Sequence, residues 1–380
     1  MMSVEIKAID STNRRQLREF VLFPEKLYRN SPYYVPSLVF DEMDTLNAKE
    51  NPASAFCDQV LYMAYKDGEA VGRIAGIINH RANEAWKHDE IRFGWFDTIN
   101  DKEISAALIG KVEEFGKQHG MKYIVGPLGF TDFDPEGMLV EGFDQQSTMP
   151  LIYNYPYYVE HIEALGFRKD ADWLEYRLTV PEQIPEKIER VAKIVAERNR
   201  FRVRPVTRKL VRRENYAAKL FAVIMDTYKD LYEYTILPEN LADKYIGFYL
   251  KILDLRYVTS IENEKGEIVA FGVTMPSLAD ALIKSRGRLF PFGWWHLLKA
   301  LFIKHSEGAE LLLMGARASV RNTGVTALVV DDMFRKYTKM GVKWAETNAE
   351  LEDNYSIRNH FSDFERVQHK RRRSYKKEIL

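Results

Sequence analysis

The chain contains a single cysteine, Cys57, among its 380 residues. One thiol cannot form a disulfide within the chain, and it cannot build a metal site from cysteine ligands. The eight histidines are scattered, with no His-x-x-x-His pair and no carboxylate triad. We therefore expect no metal cofactor. Neither a Walker loop nor a serine nucleophile elbow occurs, which argues against the enzyme classes that depend on them.

Long apolar runs and an excess of charge of one sign are also missing. No segment approaches the roughly 20 apolar residues that span a bilayer, and residues 1–10 lack an apolar signal core. The 55 basic residues balance the 55 acidic ones, so no global field favours nucleic acid or membrane. We expect a soluble, cytoplasmic protein without a nucleic-acid partner. Weak association with a membrane surface stays open, and so does the oligomeric state.

The length favours two domains over one, and the chain repeats itself weakly. Residues 66–72 match residues 264–270 at an offset of 198 (264 minus 66), and both copies are tight turns between β-branched runs. Residues 157–167 match residues 355–364 at nearly the same offset. This pattern predicts an α/β protein of two similar units in tandem.

The seam between the units is predicted within residues 181–201. Prolines at 181 and 185 interrupt regular structure there, and residues 186–199 form a charged amphipathic helix. We therefore assign residues 1–180 to the first unit, residues 181–201 to a linker helix, and residues 202–380 to the second unit.

The second unit contains a strand, a short loop and a helix that together predict an anion site. Residues 311–316 are apolar and strand-like, Arg321 and Gly324 lie in the loop, and the helical pattern of residues 327–340 stops at Gly341. Free backbone N–H groups and the positive dipole end meet at the start of such a helix. We expect Gly324 to matter because a side chain there would keep a phosphate away from the backbone.

The spacing Arg321-x-x-Gly324-x-Thr326 is similar to the Arg/Gln-x-x-Gly-x-Gly/Ala loop with which GNAT acyltransferases hold the pyrophosphate of coenzyme A. Thr326 stands where the family usually has a small residue. A polar strand over residues 342–350, then Asn354 and a short helix, follow in the order of the second half of a GNAT domain. The resemblance covers nearly all of the second unit and only the outline of the first.

The resemblance implies a fold of two tandem GNAT-like units, each a mixed, mostly antiparallel twisted sheet flanked by helices. It implies acetyl-CoA or a longer acyl-CoA as co-substrate and a small-molecule amine as acceptor. The residues that it assigns to the cofactor are Ala316, Ala318, Arg321, Asn322, Thr323, Gly324, Val325, Thr326 and Asn354.

In the GNAT mechanism that the resemblance implies, an amine attacks the thioester, a glutamate removes a proton, and a tyrosine protonates the thiolate. Glu346, Asn348 and Glu350 alternate along the polar strand, which would aim them at one cleft. Phe361 stands where the tyrosine is expected, so that role is either vacant or falls to Tyr355. Glu346, Glu350 and Tyr355 are thus the candidate catalytic residues. The alternative is that these carboxylates are a solvated strand edge and a helix cap.

The loop of the first unit predicts a different role for that unit. Residues 93–101 supply acids where the second unit has Arg and Gly, and Asp101 is a predicted helix N-cap with Glu103 in the first turn. Carboxylates at that end would repel a phosphate and compete for the same amides. We expect that the first unit does not bind coenzyme A.

Three other segments carry open interpretations. Residues 277–308 include an aromatic cluster, residues 289–296, and an amphipathic helix, which could line an acyl tunnel, rest on a membrane surface, or simply pack on the fold. Packing is the commoner outcome. Residues 127–156 are long for a loop and could close the substrate side. The basic stretch in residues 366–377 is expected to be a solvated sheet edge rather than a nucleic-acid site.

The sequence as a whole predicts an acyl-CoA-dependent N-acyltransferase, catalytic in its second unit. The rival is a GNAT fold kept for ligand binding or protein contact without turnover. Thr326, the missing tyrosine and the divergent first unit favour the rival. Arg321, Gly324 and the polar strand favour the enzyme.

Overall fold

The computed structural model describes residues 4–304, 306–354 and 361–379, and within them one sheet of fourteen strands runs through both halves. The strands are β1 Glu5–Ile9, β2 Cys57–Lys66, β3 Glu69–Asn79, β4 Glu90–Thr98, β5 Tyr123–Gly126, β6 Met138–Glu141, β7 Arg168–Thr179, β8 Arg202–Val203, β9 Val258–Glu262, β10 Ile268–Pro276, β11 Gly308–Ala316, β12 Trp344–Thr347, β13 Glu350–Leu351 and β14 Arg366–Glu378.

Helices flank the sheet. They are α1 Arg14–Leu27, α2 Val39–Leu46, α3 His80–Trp86, α4 Lys102–Gln118, α5 Tyr157–Ala164, α6 Glu186–Asn199, α7 Arg208–Glu214, α8 Tyr216–Tyr228, α9 Glu239–Ile252, α10 Ala279–Ser285, α11 Gly293–Leu298 and α12 Val325–Met340. Short 3₁₀ turns occupy Pro52–Ala55, Leu255–Tyr257 and Ala318–Thr323, and a π-helical turn occupies Lys299–Ile303. No helix in the described part of the chain is long and apolar enough to cross a membrane.

The two halves exchange their last strands. The order across the sheet is β1-β2-β3-β4-β5-β14-β7-β12-β11-β10-β9-β8, with β6 paired to β14 and β13 paired to β7. Strand β14 from the C-terminal half thus joins β5 of the N-terminal half, while β7 joins β12. Among the strands that the structure describes, only the β4–β5 and β11–β12 pairs are parallel. The predicted mixed, mostly antiparallel sheet is confirmed, but it is one continuous sheet.

The predicted solvated edge in β14 is wrong. Because of the exchange, β14 lies in the middle of the sheet, and its Lys370 and Arg372 side chains are 1% and 0% exposed. The Lys370 Nζ lies 2.9 Å from a Glu175 carboxylate oxygen and also bonds Glu346. Arg372 donates its Nε–H to Glu175. Charges at such depth persist only when they are paired, and these carboxylates supply the partners that β14 needs in the middle of the sheet.

Local chemistry explains several predicted elements. The β2–β3 turn holds Asp67 and Gly68 at φ 54° and 79°, the left-handed geometry that a two-residue hairpin requires. Helix α12 ends at Gly341 (φ 73°), whose amide bonds the last turn. Apolar residues of α12 and the linker helix α6 share one buried cluster with β9–β11, so α6 packs against the C-terminal half.

Candidate functional site

A cleft opens where β11 and β12 separate. The two strands pair in parallel from Gly308 with Trp344 to Leu311 with Thr347. The amide of Asn348 still donates to the Leu311 carbonyl at 2.9 Å, and beyond this point β11 continues to Ala316 paired only with β10. The far edge of β11 therefore faces an opening rather than a strand.

This cleft holds a cavity of about 640 Å³, which is within the usual size range of ligand pockets. The predicted cofactor residues Ala316, Arg321, Thr326 and Asn354 all line it. The structure thus brings together four residues that are spread over 39 positions of the chain (354 minus 316, counted inclusively).

The other predicted cofactor residues lie behind this wall. Ala318, Asn322 and Thr323 belong to the 3₁₀ turn that precedes α12, where the Thr323 hydroxyl donates to the Val320 carbonyl at 2.7 Å. Val325 is fully buried in the core. These residues shape the loop without lining the cavity.

Gly324 is required for a different reason from the one expected. It is the N-cap of α12 at φ 80°, a conformation that side chains disfavour. A Cβ atom at this position would lie 3.3 Å from a Val195 methyl group of α6, on the side of the linker helix. No side chain caps the start of α12 among the described residues. The first turn of α12 therefore has no side-chain cap from this part of the chain, and its residue Thr326 lies at the cavity wall, an arrangement that favours anions in general.

Three side chains cover the cleft-facing edge of β11. The side-chain amide of Asn348 donates its Nδ2–H to the Leu312 carbonyl at 3.3 Å. The Tyr228 hydroxyl, at the end of α8, donates to the Met314 carbonyl and accepts from the Met314 amide, both at 3.2 Å. Arg321 donates its Nε–H to the Ala316 carbonyl at 3.3 Å. A ligand that binds along β11 must replace these contacts.

Tyr228 is a candidate that the sequence pattern did not reveal. It lines both this cavity and the inner one described below. Burial raises the pKa of its hydroxyl to about 12, so the phenol keeps its proton at neutral pH. A protonated phenol at the junction of two cavities can act as a general acid. Only the position at the end of α8, not any motif, identifies it.

An inner cavity of about 170 Å³ adjoins the cleft and contains three acids from residues 127–156. Burial raises the pKa of Asp132 to about 7 and that of Asp134 to about 6, and burial together with the Asp132 charge raises the pKa of Glu136 well above its usual value. The Asp132 carboxylate accepts the Thr235 amide at 2.8 Å, and that of Asp134 accepts the Thr131 amide at 2.9 Å. The long loop of the first half thus supplies acid–base groups to the second half.

The structure does not bring the predicted catalytic residues together in one cavity. Asn348 and Glu350 line the inner cavity, but Glu346 lines neither cavity and is buried against Lys370, with the His369 Nε2 at 3.3 Å. The alternation expected for one continuous strand breaks because β12 ends at Thr347 and pairing resumes only in β13. Tyr355 lies outside the described residues.

An apolar cavity of about 70 Å³ continues from the inner one, with Phe133, Tyr249, Leu312 and Leu313 lining both. Its remaining walls come mainly from α8 and α9. Residues 289–303 line none of these three cavities. The interpretation of that segment as an acyl tunnel is therefore wrong.

The corresponding cleft of the N-terminal half is filled. Strands β4 and β5 separate after Phe93, whose carbonyl accepts the Leu128 amide at 2.9 Å. The space beyond is only about 50 Å³. A buried Asp97 occupies it, held by Arg73 Nε at 2.8 Å and by the Tyr28 hydroxyl at 2.7 Å.

The N-terminus of α4, at the end of this filled cleft, is also closed. As predicted, Asp101 is its N-cap, accepting the Glu103 amide at 3.0 Å. Lys66 pairs with Asp101 at 3.1 Å. The amide that could hold a phosphate is already bonded to a carboxylate.

Two groups of His and Glu have metal-like spacing in the described part of the chain, namely His88 with Glu90 and Glu233, and Glu175 with Glu346 and His369. Protein cations already neutralise their carboxylates. Arg92 lies 2.8 Å from Glu233, Lys376 pairs with Glu90, and Lys370 bonds both glutamates of the second group. Such pairing satisfies the same oxygens that a divalent ion would need.

No family model matches the chain. Protein YghO of Escherichia coli is 27% identical over 97% of this chain and 94% of its own length. A bacterial ceramide synthase of Caulobacter vibrioides is 25% identical over 83% of this chain and 81% of its own.

Solved structures show the same fold at low identity. A tandem GNAT protein from the clavulanic acid biosynthesis pathway has a TM-score of 0.55 at 11% identity, covering 100% of this chain and 99% of its own. A GCN5-related glucosamine N-acetyltransferase region of a fungal β-N-acetylglucosaminidase has a TM-score of 0.56 at 11% identity, covering 99% of this chain and 38% of that one. The chain has a tandem GNAT-like fold.

Proposed function

We propose that this tandem GNAT-like protein is an acyl-CoA-dependent N-acyltransferase whose reaction takes place in the cleft between β11 and β12. The observation that carries the proposal is the cavity of about 640 Å³ at the uncapped start of α12. A helix N-terminus with a nearby arginine is a suitable site for a pyrophosphate.

Acyl-CoA would lie along β11. Its pyrophosphate would bind the first turn of α12 and Arg321, and its amide groups would take over the Met314 contacts now made by Tyr228. The thioester would then reach the junction of the two cavities, which Asn354 and Tyr228 both line.

The acceptor amine would enter the inner cavity. Asp132, whose pKa is about 7, is suited to remove the amine proton at neutral pH. The amine nitrogen forms a bond to the thioester carbonyl carbon, the carbon–sulfur bond breaks, and Tyr228 gives its proton to the departing thiolate. Glu350 is the alternative base on the facing wall.

A long acyl chain and a lipid amine are the finer proposal. The apolar cavity between α8 and α9 continues from the inner cavity and offers an apolar surface to a fatty chain. The relative from Caulobacter vibrioides is a ceramide synthase, and a ceramide is the fatty amide of a long-chain amino alcohol. We propose that class of amine as the acceptor.

The rival function, binding without turnover, is favoured by one observation. Glu346, a predicted catalytic residue, lines neither cavity and is buried against Lys370, so it cannot reach a ligand in the cleft.

Calorimetric titration with coenzyme A, acetyl-CoA and palmitoyl-CoA tests binding, and thiol release with a long-chain amino alcohol tests turnover. We expect palmitoyl-CoA to bind most tightly and to release its thiol only when the amine is present. Asp132→Asn should remove about 10²–10⁴-fold of the rate while leaving the binding of acyl-CoA intact. Tight binding with no thiol release under any pairing would support the rival, and no binding would refute both.

A further inference from the structure

The segment between β10 and β11 carries an exposed aromatic surface, here called the aromatic patch. Phe290 and Phe292 are 78% and 72% exposed. The other members, each at least 43% exposed, are Trp294, Trp295, Phe302 and Ile303. Folded chains rarely leave so many large apolar side chains together in water without a partner.

The patch is held firmly in place. Leu297 and Leu301 point inward and are buried in the same cluster as Leu282 and Met275. The Trp294 amide donates to the Leu289 carbonyl at 2.8 Å. The expectation that this segment packs on the fold is therefore correct for one face only. The other face is exposed to solvent, although the segment beneath it is packed into the core.

The charges of the segment that carries the patch have one sign. Residues 281–304 contain five lysines and arginines and no aspartate or glutamate, in a chain whose total charges cancel. Glu25 of α1 pairs with Arg286 at 3.6 Å and with Arg288. Lys284, Lys299 and Lys304 of the same segment are exposed.

An adjacent groove is also lined by basic and aromatic side chains. Its walls include Arg14, Arg18 and Lys49 together with the aromatic rings of Phe40 and Phe290, and two acids, Asp44 and Glu50, reduce its positive charge. Basic and aromatic side chains on one face are complementary to the anionic headgroups and the acyl boundary of a bilayer.

We propose that the aromatic patch docks the protein on the surface of a membrane that contains anionic phospholipids. Trp and Phe side chains enter the headgroup region, and the surrounding lysines bind lipid phosphates. The segment is far too short to span a bilayer, so it lies in the interface. This docking does not depend on the proposed function, since the patch adjoins the start of β11 and the cofactor cavity lies at its end, roughly 26 Å away at about 3.3 Å per residue.

Co-sedimentation of the full chain with lipid vesicles tests the proposal. We expect binding to vesicles of phosphatidylcholine mixed with phosphatidylglycerol, weaker binding to phosphatidylcholine alone, and a blue shift of tryptophan emission on binding. Phe290→Ser with Trp295→Ser should lower the partition coefficient by about tenfold or more. Lys299→Gln with Lys304→Gln should weaken binding only to the anionic vesicles and reduce its salt dependence.

The control is Ile236→Ser with Val367→Ser, which removes two apolar side chains outside the patch that are 65% and 63% exposed and should leave vesicle binding unchanged. Melting temperatures of all variants check the fold. Equal vesicle binding by the patch variants and the control would overturn the proposal. It would also be overturned if the parent chain ignored vesicles and instead formed dimers that the patch variants abolish in sedimentation velocity.

Discussion

The two clefts of this molecule have the same strand geometry and opposite contents. In each half a parallel strand pair separates and a helix begins at the end of the opening, α4 in one and α12 in the other. The N-terminal opening holds about 50 Å³ around the buried Asp97–Arg73 pair, whereas the C-terminal opening holds about 640 Å³. The difference lies in the side chains, because the backbones open alike.

This contrast shows how one half can serve the other. The cleft of the N-terminal half is filled, and the long loop of that half carries Asp132, Asp134 and Glu136 into the cavity beside the open cleft. The exchange of β7 and β14 joins the halves through a buried ion network. We therefore expect that neither half completes the site alone.

The largest effect should come from breaking the ion pair that fills the first cleft. Arg73→Met leaves the Asp97 carboxylate buried without its cation, which should lower the free energy of unfolding by about 3–5 kcal/mol in urea denaturation. Arg321→Met, in the open cleft, should change the free energy of unfolding by no more than about 0.5 kcal/mol. Similar losses in both variants would contradict the division between a structural and a ligand-binding arginine.

Replacing a tyrosine in each cleft should lower kcat in the open cleft only. Tyr228→Phe removes the proposed acid and should lower kcat about 100-fold. Tyr158→Phe removes the hydroxyl that bonds the Thr98 backbone in the filled cleft, and it should keep kcat while losing about 1 kcal/mol of stability. Steady-state kinetics and thermal melts measure both. If the parent protein is inactive and Tyr228→Phe only tightens coenzyme A binding, then Tyr228 blocks the cleft of a binding protein and is not a general acid.

Variants at the N-termini of α12 and α4 should have smaller effects, the first on coenzyme A binding and the second on stability. Arg321→Gln should weaken coenzyme A binding by about 1–3 kcal/mol, the range of a charge-assisted contact. Asp101→Ala uncaps α4 and should cost about 0.5–2 kcal/mol of stability without creating a second site. Arg200→Gln, an exposed arginine away from both clefts, is the binding control. A stoichiometry of two in calorimetry would refute the predicted inability of the first half to bind the cofactor.

A further effect concerns pH. The folded pKa of Asp132 is raised from 3.8 to about 7 by burial, so the folded state binds its proton more tightly than the unfolded state does. Its contribution to stability is greatest below about pH 4 and is lost as pH rises toward 7. Asp132→Asn should flatten this slope, whereas Asp67→Asn in the exposed β2–β3 turn should not. The slope is measured from melting temperatures between pH 4 and 7. A slope that Asp132→Asn leaves unchanged would show that the Asp132 carboxyl group is exposed to solvent.

Local patterns were enough to predict several elements and part of the site. The glycine at 341 ends α12, the prolines at 181 and 185 precede α6, and the spacing from Arg321 to Thr326 marks the loop at the cavity. These features depend on neighbours within a few residues, which is why they can be read along the chain.

The remaining features needed the tertiary structure. Nothing in the charges of β14 distinguishes a sheet edge from the sheet centre, because the deciding partner, Glu175, is nearly 200 positions away. The same holds for Glu346, whose strand is interrupted after Thr347, and for Tyr228 and Asp132, which meet only across the two halves.

The sequence by itself determined the turns, caps and amphipathic helices, since these follow from short-range backbone geometry and side-chain periodicity. Only the tertiary structure decided which strands pair, which charges are buried and which acids face the cleft. The physical reason is that a buried charge is stable only beside a specific partner, and long-range strand exchange chooses that partner. The side chains that line each opening also come from distant parts of the chain, and they leave one cleft filled and the other open.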